Sequence, residues 1–522
     1  MKNNNILSIN TVQFILFFTI MNMVLYHSSL YSYCIDNLDI YSENGILTFI
    51  SVLIAIFIIS YFIFFLIALI SLKVLHICSI IILILNSFAV YFIITYKVII
   101  DTTMIGNAFN TDFAEASSYY HPKILIYILL LGIIPAYITY KIKILPVGRI
   151  KLSLISFSVL IVGIFLLYLN ATTWLWLDKH AKILGGMTMP WSYSINTVRY
   201  KTQQLNKNKK QILLPTATIK NNNKMLIVLV IGESARANNF SLYGYNKITN
   251  PLLKDIPNLN ILNAKSTATY TTASIHSMLS YLGKGSDSYE PLPNYLQRSG
   301  INVIWRKNNW GAPKLQVNTI QSASDLKPYC KGKGCLYDQV LLTNLQKEIL
   351  KSKINKTFVV LHTEGSHGPT YYKKYPKAFE IFKPICKTVD LKECTTQELI
   401  NAYDNTILYT DYFLNKTIDT LKKITDRPVM MIYISDHGES LGEYGLYLHG
   451  TPYTIAPDFQ KNIPFIIWQS NKYIKRNGIV NKFLNKEKMY GQDNIFHTVI
   501  GAFGLNSTIY NKKLDIFQNI DN

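Results

Sequence analysis

The stretch VMMIYISDHG at residues 429–438 sets the reading of the whole chain. Its first six residues form an uninterrupted apolar run of strand length, the pattern of a strand covered on both faces of a sheet. The run passes without a break into Ser435-Asp436-His437-Gly438. MLIVLVI at 225–231 repeats the arrangement and ends in Gly232-Glu233-Ser234. Val303-Ile304-Trp305 and Phe358-Val359-Val360-Leu361 read as further buried strands, and residues 463–468 as a later one. Helical patterns such as residues 399–421 separate them. The C-terminal half is therefore expected to be α/β with a mainly parallel central sheet.

Glu233, Asp436 and His437 each follow a buried strand directly, at the edge where open α/β sheets build their ligand sites. His362 and His367 follow a third strand in LHTEGSHGP (361–369), and His449 lies in the glycine-flanked loop LHGTP (448–452). Carboxylates and imidazoles converging on one sheet edge form the donor set that zinc prefers among common metals. Singly, each element is weak: a lone Asp-His-Gly is as often a turn, and His362 among apolar neighbours packs more often than it ligates. The joint placement carries the reading.

A nucleophile is then sought in TATYTTAS (267–274), which precedes HSMLSYL (276–282), the first turns of an expected helix. A hydroxyl at a helix N-terminus sits in the positive end of the dipole, and metal coordination lowers its pKa further. The plain reading of these residues, as helix caps or the polar face of a strand, prevails without the ligands.

The N-terminal part of the 522 residues has another character. Five apolar runs, at 12–26, 46–72, 74–96, 124–140 and 152–169, have the length and composition of membrane spans. The first carries Gln13 and Asn22 and has signal-peptide length, but no A-x-A-like site follows, so it is read as a retained span. With the N-terminus in the cytoplasm, Lys2, Lys73, Lys141, Lys143, Arg149 and Lys151 lie inside, and only Lys97 and Lys123 outside. Everything after Leu169 is then extracytoplasmic. The spacing of Cys330 with Cys335 and of Cys386 with Cys394 agrees, since an oxidising compartment favours local disulfides. Neither pair has the C-x-x-C spacing of a structural zinc site. Residues 171–199, with Trp174, Trp176, Trp191 and Tyr193, suit an interfacial segment, and the Lys/Asn-rich 207–224 reads as a linker. The expected division is 1–170, a five-helix membrane domain; 171–224, interfacial helices and linker; and 225–522, a periplasmic catalytic domain. The formal charge of +21 suits anionic lipid headgroups. No nucleic-acid motif accompanies it, so no nucleic-acid partner is expected.

These residues together resemble the membrane phosphoethanolamine transferases that modify lipid A and confer polymyxin resistance. The matching stretches are GESARA (232–237), SDHGESLGE (435–443), YLHGTP (447–452), NAYDN (401–405) and SHGP (366–369). The resemblance implies an alkaline phosphatase/sulfatase-like catalytic domain with Glu233, Thr271, Asp436 and His437 as ligands of a catalytic zinc and Thr271 as nucleophile. It implies that His367 and His449 contact the phosphoryl group or a second zinc. Reading back from Ser280-Tyr281-Leu282-Gly283 selects Thr271, whereas counting forward from Glu233 selects Thr272. Asn107, Thr111 and Glu115, spaced i, i+4, i+8, fall on one helix face and match the family's donor-headgroup residues. The family often brackets its nucleophile with a disulfide; here those positions are Thr267 and Ser277.

The implied reaction takes phosphoethanolamine from phosphatidylethanolamine onto Thr271 and then to lipid A or another envelope glycan, in a monomeric inner-membrane enzyme. A lipoteichoic-acid-synthase-like glycerol-phosphate transferase is the rival reading. The loop of Asn107, Thr111 and Glu115 and the two cysteine pairs argue against it.

Overall fold

The computed structural model describes residues 7–110, 120–170, 174–207, 211–283, 288–477 and 488–518. These residues fall into two compact units, one running through Gln203 and the other from Gln204 onward.

The first unit is helical because its apolar runs can satisfy their backbone polar groups only within themselves. Helices α1 (Thr11–Tyr26) and α2 (Ser28–Asn37) meet at a 64° bend. They are followed by α3 (Glu43–Ile70), α4 (Leu72–Tyr96), α5 (Thr102–Asn110), α6 (Lys123–Tyr140) and α7 (Arg149–Leu169). Four of these, α3, α4, α6 and α7, are long and apolar enough to cross a membrane; the bent α1–α2 pair makes a fifth if counted as one span. Helices α8 (Trp174–Met187) and α9 (Trp191–Lys207) complete the unit.

Several buried polar groups of this unit find partners elsewhere in it. Pro135 has no N–H to give to the carbonyl of Leu131, four residues earlier, and the Tyr26 hydroxyl donates to that carbonyl at 2.5 Å. The helix opens into a π-helical stretch, Ile128–Ile133, at this point. Asn22, the polar residue that weakens the first run as a span, is fully buried. Its amide donates to Met189 O at 2.8 Å, and its Oδ1 accepts from Asn86 at 2.7 Å. Tyr193 then donates to Asn86 Oδ1 at 2.9 Å.

The second unit is built on an eight-stranded sheet. Its strands are β1 (Met225–Gly232), β2 (Leu259–Lys265), β3 (Asn302–Lys307), β4 (Thr319–Ser322), β5 (Lys356–His362), β6 (Val429–Ser435), β7 (Asn462–Gln469) and β8 (Tyr490–Gly491). They lie in the order β8-β2-β7-β6-β1-β5-β3-β4. Only β7 runs against its neighbours; the other adjacent pairs are parallel. Each residue of β1, β5 and β6 is buried, as uninterrupted apolar runs require of strands covered on both faces. Helices α10 (Thr271–Leu279), α11 (Thr396–Lys422) and α12 (Asn494–Phe503) pack around the sheet.

The disulfides Cys330–Cys335 and Cys386–Cys394 are formed. The segment read as linker is partly structural. Leu214 and Ala217 enter the main core, and Thr218–Ile219 pairs with Leu505–Asn506.

Candidate active site

Neighbouring strands deliver the site residues. After β1, Glu233 is followed by Ser234 in the left-handed region (φ 53), a conformation that costs a non-glycine residue energy and clusters at functional sites. That turn points the Ser234 N–H at Asp436 Oδ1, 3.0 Å away beyond β6. The β1–β6 ladder continues one step past the strands, with Asp436 N donating to Gly232 O at 3.0 Å. The two acid-bearing turns are thus locked together by backbone. From β2 a short loop leads to Thr271, the first residue of α10 and 3% exposed.

Thr271 Oγ1 lies 3.1 Å from Glu233 Oε2 and 3.3 Å from His437 Nε2. His437 Nε2 is 3.4 Å from Glu233 Oε1 and 3.3 Å from Asp436 Oδ2. The other ring nitrogen of His437 faces the carbonyl of Gly438 at 2.9 Å, which leaves Nε2 as the atom offered to the cluster. Of the two threonines left open by sequence, it is Thr271 whose hydroxyl meets these ligand atoms. One ligand atom each from Glu233, His437 and His449 lies within 4.8 Å of the others. The rings of His437 and His449 are 4.2 Å apart between centroids, and those of His367 and His449 5.5 Å apart.

Burial and mutual proximity set the charge on the carboxylates and imidazoles of this cluster. Burial, helped by Asp436, pushes Glu233 up to about 7, and burial pushes Asp436 up to about 6. Burial and then His449 push His437 down to about 4, and burial holds His367 well below its usual value. Burial also works against charge on His449, but Glu439 overrides it and raises that ring to about 9. Asp436 Oδ2 is buried with no hydrogen-bond partner, although most buried polar atoms have one. A carboxylate oxygen without a hydrogen bond, beside a carboxylate, an imidazole and a hydroxyl, fits a divalent cation.

Sequence reading missed three residues here. Asn309, just beyond β3, donates to Glu233 Oε2 at 2.7 Å. Glu439 is fully buried and holds His449 Nδ1 at 3.3 Å. Ser234 donates to Glu233 Oε1 at 2.8 Å and lies 3.4 Å from His449 Nδ1. Position past a strand end was the only signal for Asn309. Glu439 sits inside the quoted SDHGE stretch, directly before the two-residue strand Ser440–Leu441, which no apolar run announces. His362 is not drawn into the cluster; its buried ring packs edge-on against Trp305, centroids 6.1 Å apart. Asn107 lies on α5 in the helical unit, while Thr111 and Glu115 lie outside the described residues.

A hydroxyl held among buried carboxylates and imidazoles, on a sheet of this topology, marks a phosphoryl- or sulfuryl-transfer enzyme of the sulfatase class. Residues 225–505 match the Sulfatase family, and residues 58–205 match the family described as Phosphoethanolamine transferase EptA/EptB. The chain is 37% identical over 513 residues to phosphoethanolamine transferase EptA of Helicobacter pylori, covering 95% of this chain and 94% of that protein. Phosphatidylethanolamine transferase Mcr-1 of Escherichia coli is 32% identical, over 74% of this chain and 77% of its own length. Among solved structures, the integral membrane protein lipooligosaccharide phosphoethanolamine transferase A of Neisseria meningitidis superposes with a TM-score of 0.88 at 26% identity. That match covers 98% of this chain and 99% of the other. The chain belongs to the phosphoethanolamine transferase family.

Proposed function

We propose that this protein is a zinc-dependent phosphoethanolamine transferase of the inner membrane that takes its group from phosphatidylethanolamine and places it on lipid A. The single observation that carries this reading is the Thr271 hydroxyl within hydrogen-bond reach of both Glu233 and His437 in a buried cluster of carboxylates and imidazoles. Relatives bearing phosphatidylethanolamine and lipooligosaccharide in their names support the donor and the acceptor class. The bent α1–α2 pair serves as the first of five spans, so that the unit from Gln204 onward faces the periplasm. Asn107 with Thr111 and Glu115 receives the donor headgroup, a carboxylate there meeting its ammonium.

Glu233, Asp436, His437 and the Thr271 oxygen would hold the zinc. A bound zinc supplies Lewis-acid charge, which makes an alkoxide accessible near neutral pH and neutralises phosphoryl oxygens. Thr271 Oγ, its hydroxyl proton given up to solvent, attacks the phosphorus of the donor. A Thr271 O–P bond forms, the P–O bond to diacylglycerol breaks, and the departing oxygen takes up a proton. His449, kept cationic by Glu439, supplies that proton, and His367 with His449 faces the phosphoryl oxygens. A phosphate oxygen of lipid A then attacks the same phosphorus and returns the electron pair of the Thr271 O–P bond to the threonine oxygen. The added ammonium reduces the negative charge that attracts polymyxin, so resistance follows.

Mass spectra of lipid A from cells with and without the gene test this reading. A phosphoethanolamine increment that depends on the gene and disappears with Thr271→Ala is expected. Unmodified lipid A in the presence of folded protein overturns it.

A further inference from the structure

No cysteine lies near Thr271 in the chain, and the structure braces the segment leading to it from the turn that opens α12. The Gln492 side chain is fully buried. Its amide nitrogen donates to Ser435 O at 3.0 Å and to Asp436 O at 2.5 Å. Its Oε1 accepts from both the backbone N–H (3.0 Å) and the hydroxyl (2.8 Å) of Thr267. Both donors and both acceptor sites of one amide are therefore used, half on the segment that carries Asp436 and His437 and half on the segment that leads to Thr271.

The far flank of α10 is held by the same helix. His497 Nδ1 accepts from Asn511 N at 3.2 Å, which leaves Nε2–H to donate to Tyr281 O at 2.9 Å. Ser277, on α10, hydrogen-bonds Gly283 O in the loop that follows. A Cβ at Gly283 would fall 2.4 Å from that of Asp493, so the loop sits directly on the α12 turn.

We infer that Gln492 is a positioning residue for this transfer: its amide fixes the spacing between the nucleophile segment and the ligand segment. No covalent bond ties these segments, and Thr271 must meet Glu233 and His437 within a few tenths of an ångström to share an ion with them. A misplacement of about 1 Å can cost on the order of 100-fold in rate, and removing a group that orients a metal ligand typically costs ~10–100-fold in affinity or activity. The inference rests on Thr271 as nucleophile.

The test uses the full-length detergent-solubilised protein with three substitutions. Gln492→Leu removes both arms of the amide. Gln492→Glu keeps the acceptor for Thr267 but sets a carboxylate against the carbonyls of Ser435 and Asp436. Thr267→Val removes one hydroxyl and leaves the backbone donor. For each, zinc affinity is measured by chelator competition, kcat and KM with a labelled phosphatidylethanolamine, and thermal stability without metal.

Both Gln492 variants are expected to lose ~10-fold or more in zinc affinity and in kcat at saturating zinc, with KM for the donor within about 2-fold. Thr267→Val is expected to fall between them and wild type. If Gln492→Leu does not fold, Gln492→Glu and Thr267→Val decide. Folded variants with lower thermal stability but unchanged zinc affinity and unchanged kcat per zinc-loaded molecule overturn the inference and leave Gln492 a merely structural residue. Activity retained by Thr271→Ala fails the parent reading instead, and that result is distinguishable because the zinc affinities of the Gln492 variants are measured independently.

Discussion

At the scale of single residues the site is a set of mutual dependencies around Thr271. Its hydroxyl meets Glu233 and His437, Glu233 is held by Asn309 and Ser234, and His449 is held by Glu439. Thr271→Ala is expected to abolish lipid modification, a loss on the order of 1,000-fold or more, while Thr272→Ala keeps most of it; the reverse order would move the nucleophile by one residue. Zinc binding should be pH-dependent with a defined sign. Glu233 (about 7) and Asp436 (about 6) must both lose protons to bind a cation, so protons compete with zinc below neutral pH. His437, pushed down to about 4, does not compete. Affinity should therefore rise up to about pH 7 and then level off. A continued rise through about 9, where Glu439 holds the proton of His449, would instead make His449 a ligand of that ion. Competition titrations across the range separate the two.

At the scale of elements, legibility followed burial. Strands β1, β5 and β6 could be read because both their faces are covered and each is one apolar run. Strand β2 (LNILNAK) was missed although it lies inside the sheet. Its burial alternates and it carries two asparagines, so it resembles a loop as much as a strand. The order of strands and the antiparallel direction of β7 are set by long-range pairing that no local pattern encodes. Glu233, Asp436 and His437 were legible because they follow legible strands; Asn309 and Gln492 were not, since an amide has no chemistry that stands out until its partners are known. Backbone geometry at the strand ends is also testable. Gly365 has φ of 51, and a Cβ there would come within 2.7 Å of Glu233 O. Gly365→Ala is expected to destabilise the protein by about 1–3 kcal/mol and to lower zinc affinity by displacing the Glu233 turn. Calorimetry with a zinc titration measures both, and an unchanged affinity would show that the turn tolerates the push.

At the scale of the whole chain, a helical unit and a sulfatase-like unit follow one another, and the account assigns lipid anchoring to one and chemistry to the other. The polar residues buried in the helical unit serve its packing. Asn22→Leu removes the partners of Met189 O and Asn86, and should lower the unfolding temperature of the detergent-solubilised protein by an amount matching about 1 kcal/mol. Its zinc affinity should match that of wild type; a changed affinity would mean that the helical unit sets the metal site. The central claim is that the transferred group rests covalently on Thr271 between donor and acceptor. Incubating the purified full-length protein with zinc and labelled phosphatidylethanolamine, without acceptor, and mapping the adduct by peptide mass spectrometry tests it most directly. The account expects phosphoethanolamine on Thr271, absent from Thr271→Ala and removed when lipid A is added. An adduct on another residue, or lipid A modified with no adduct at any stage, would contradict it.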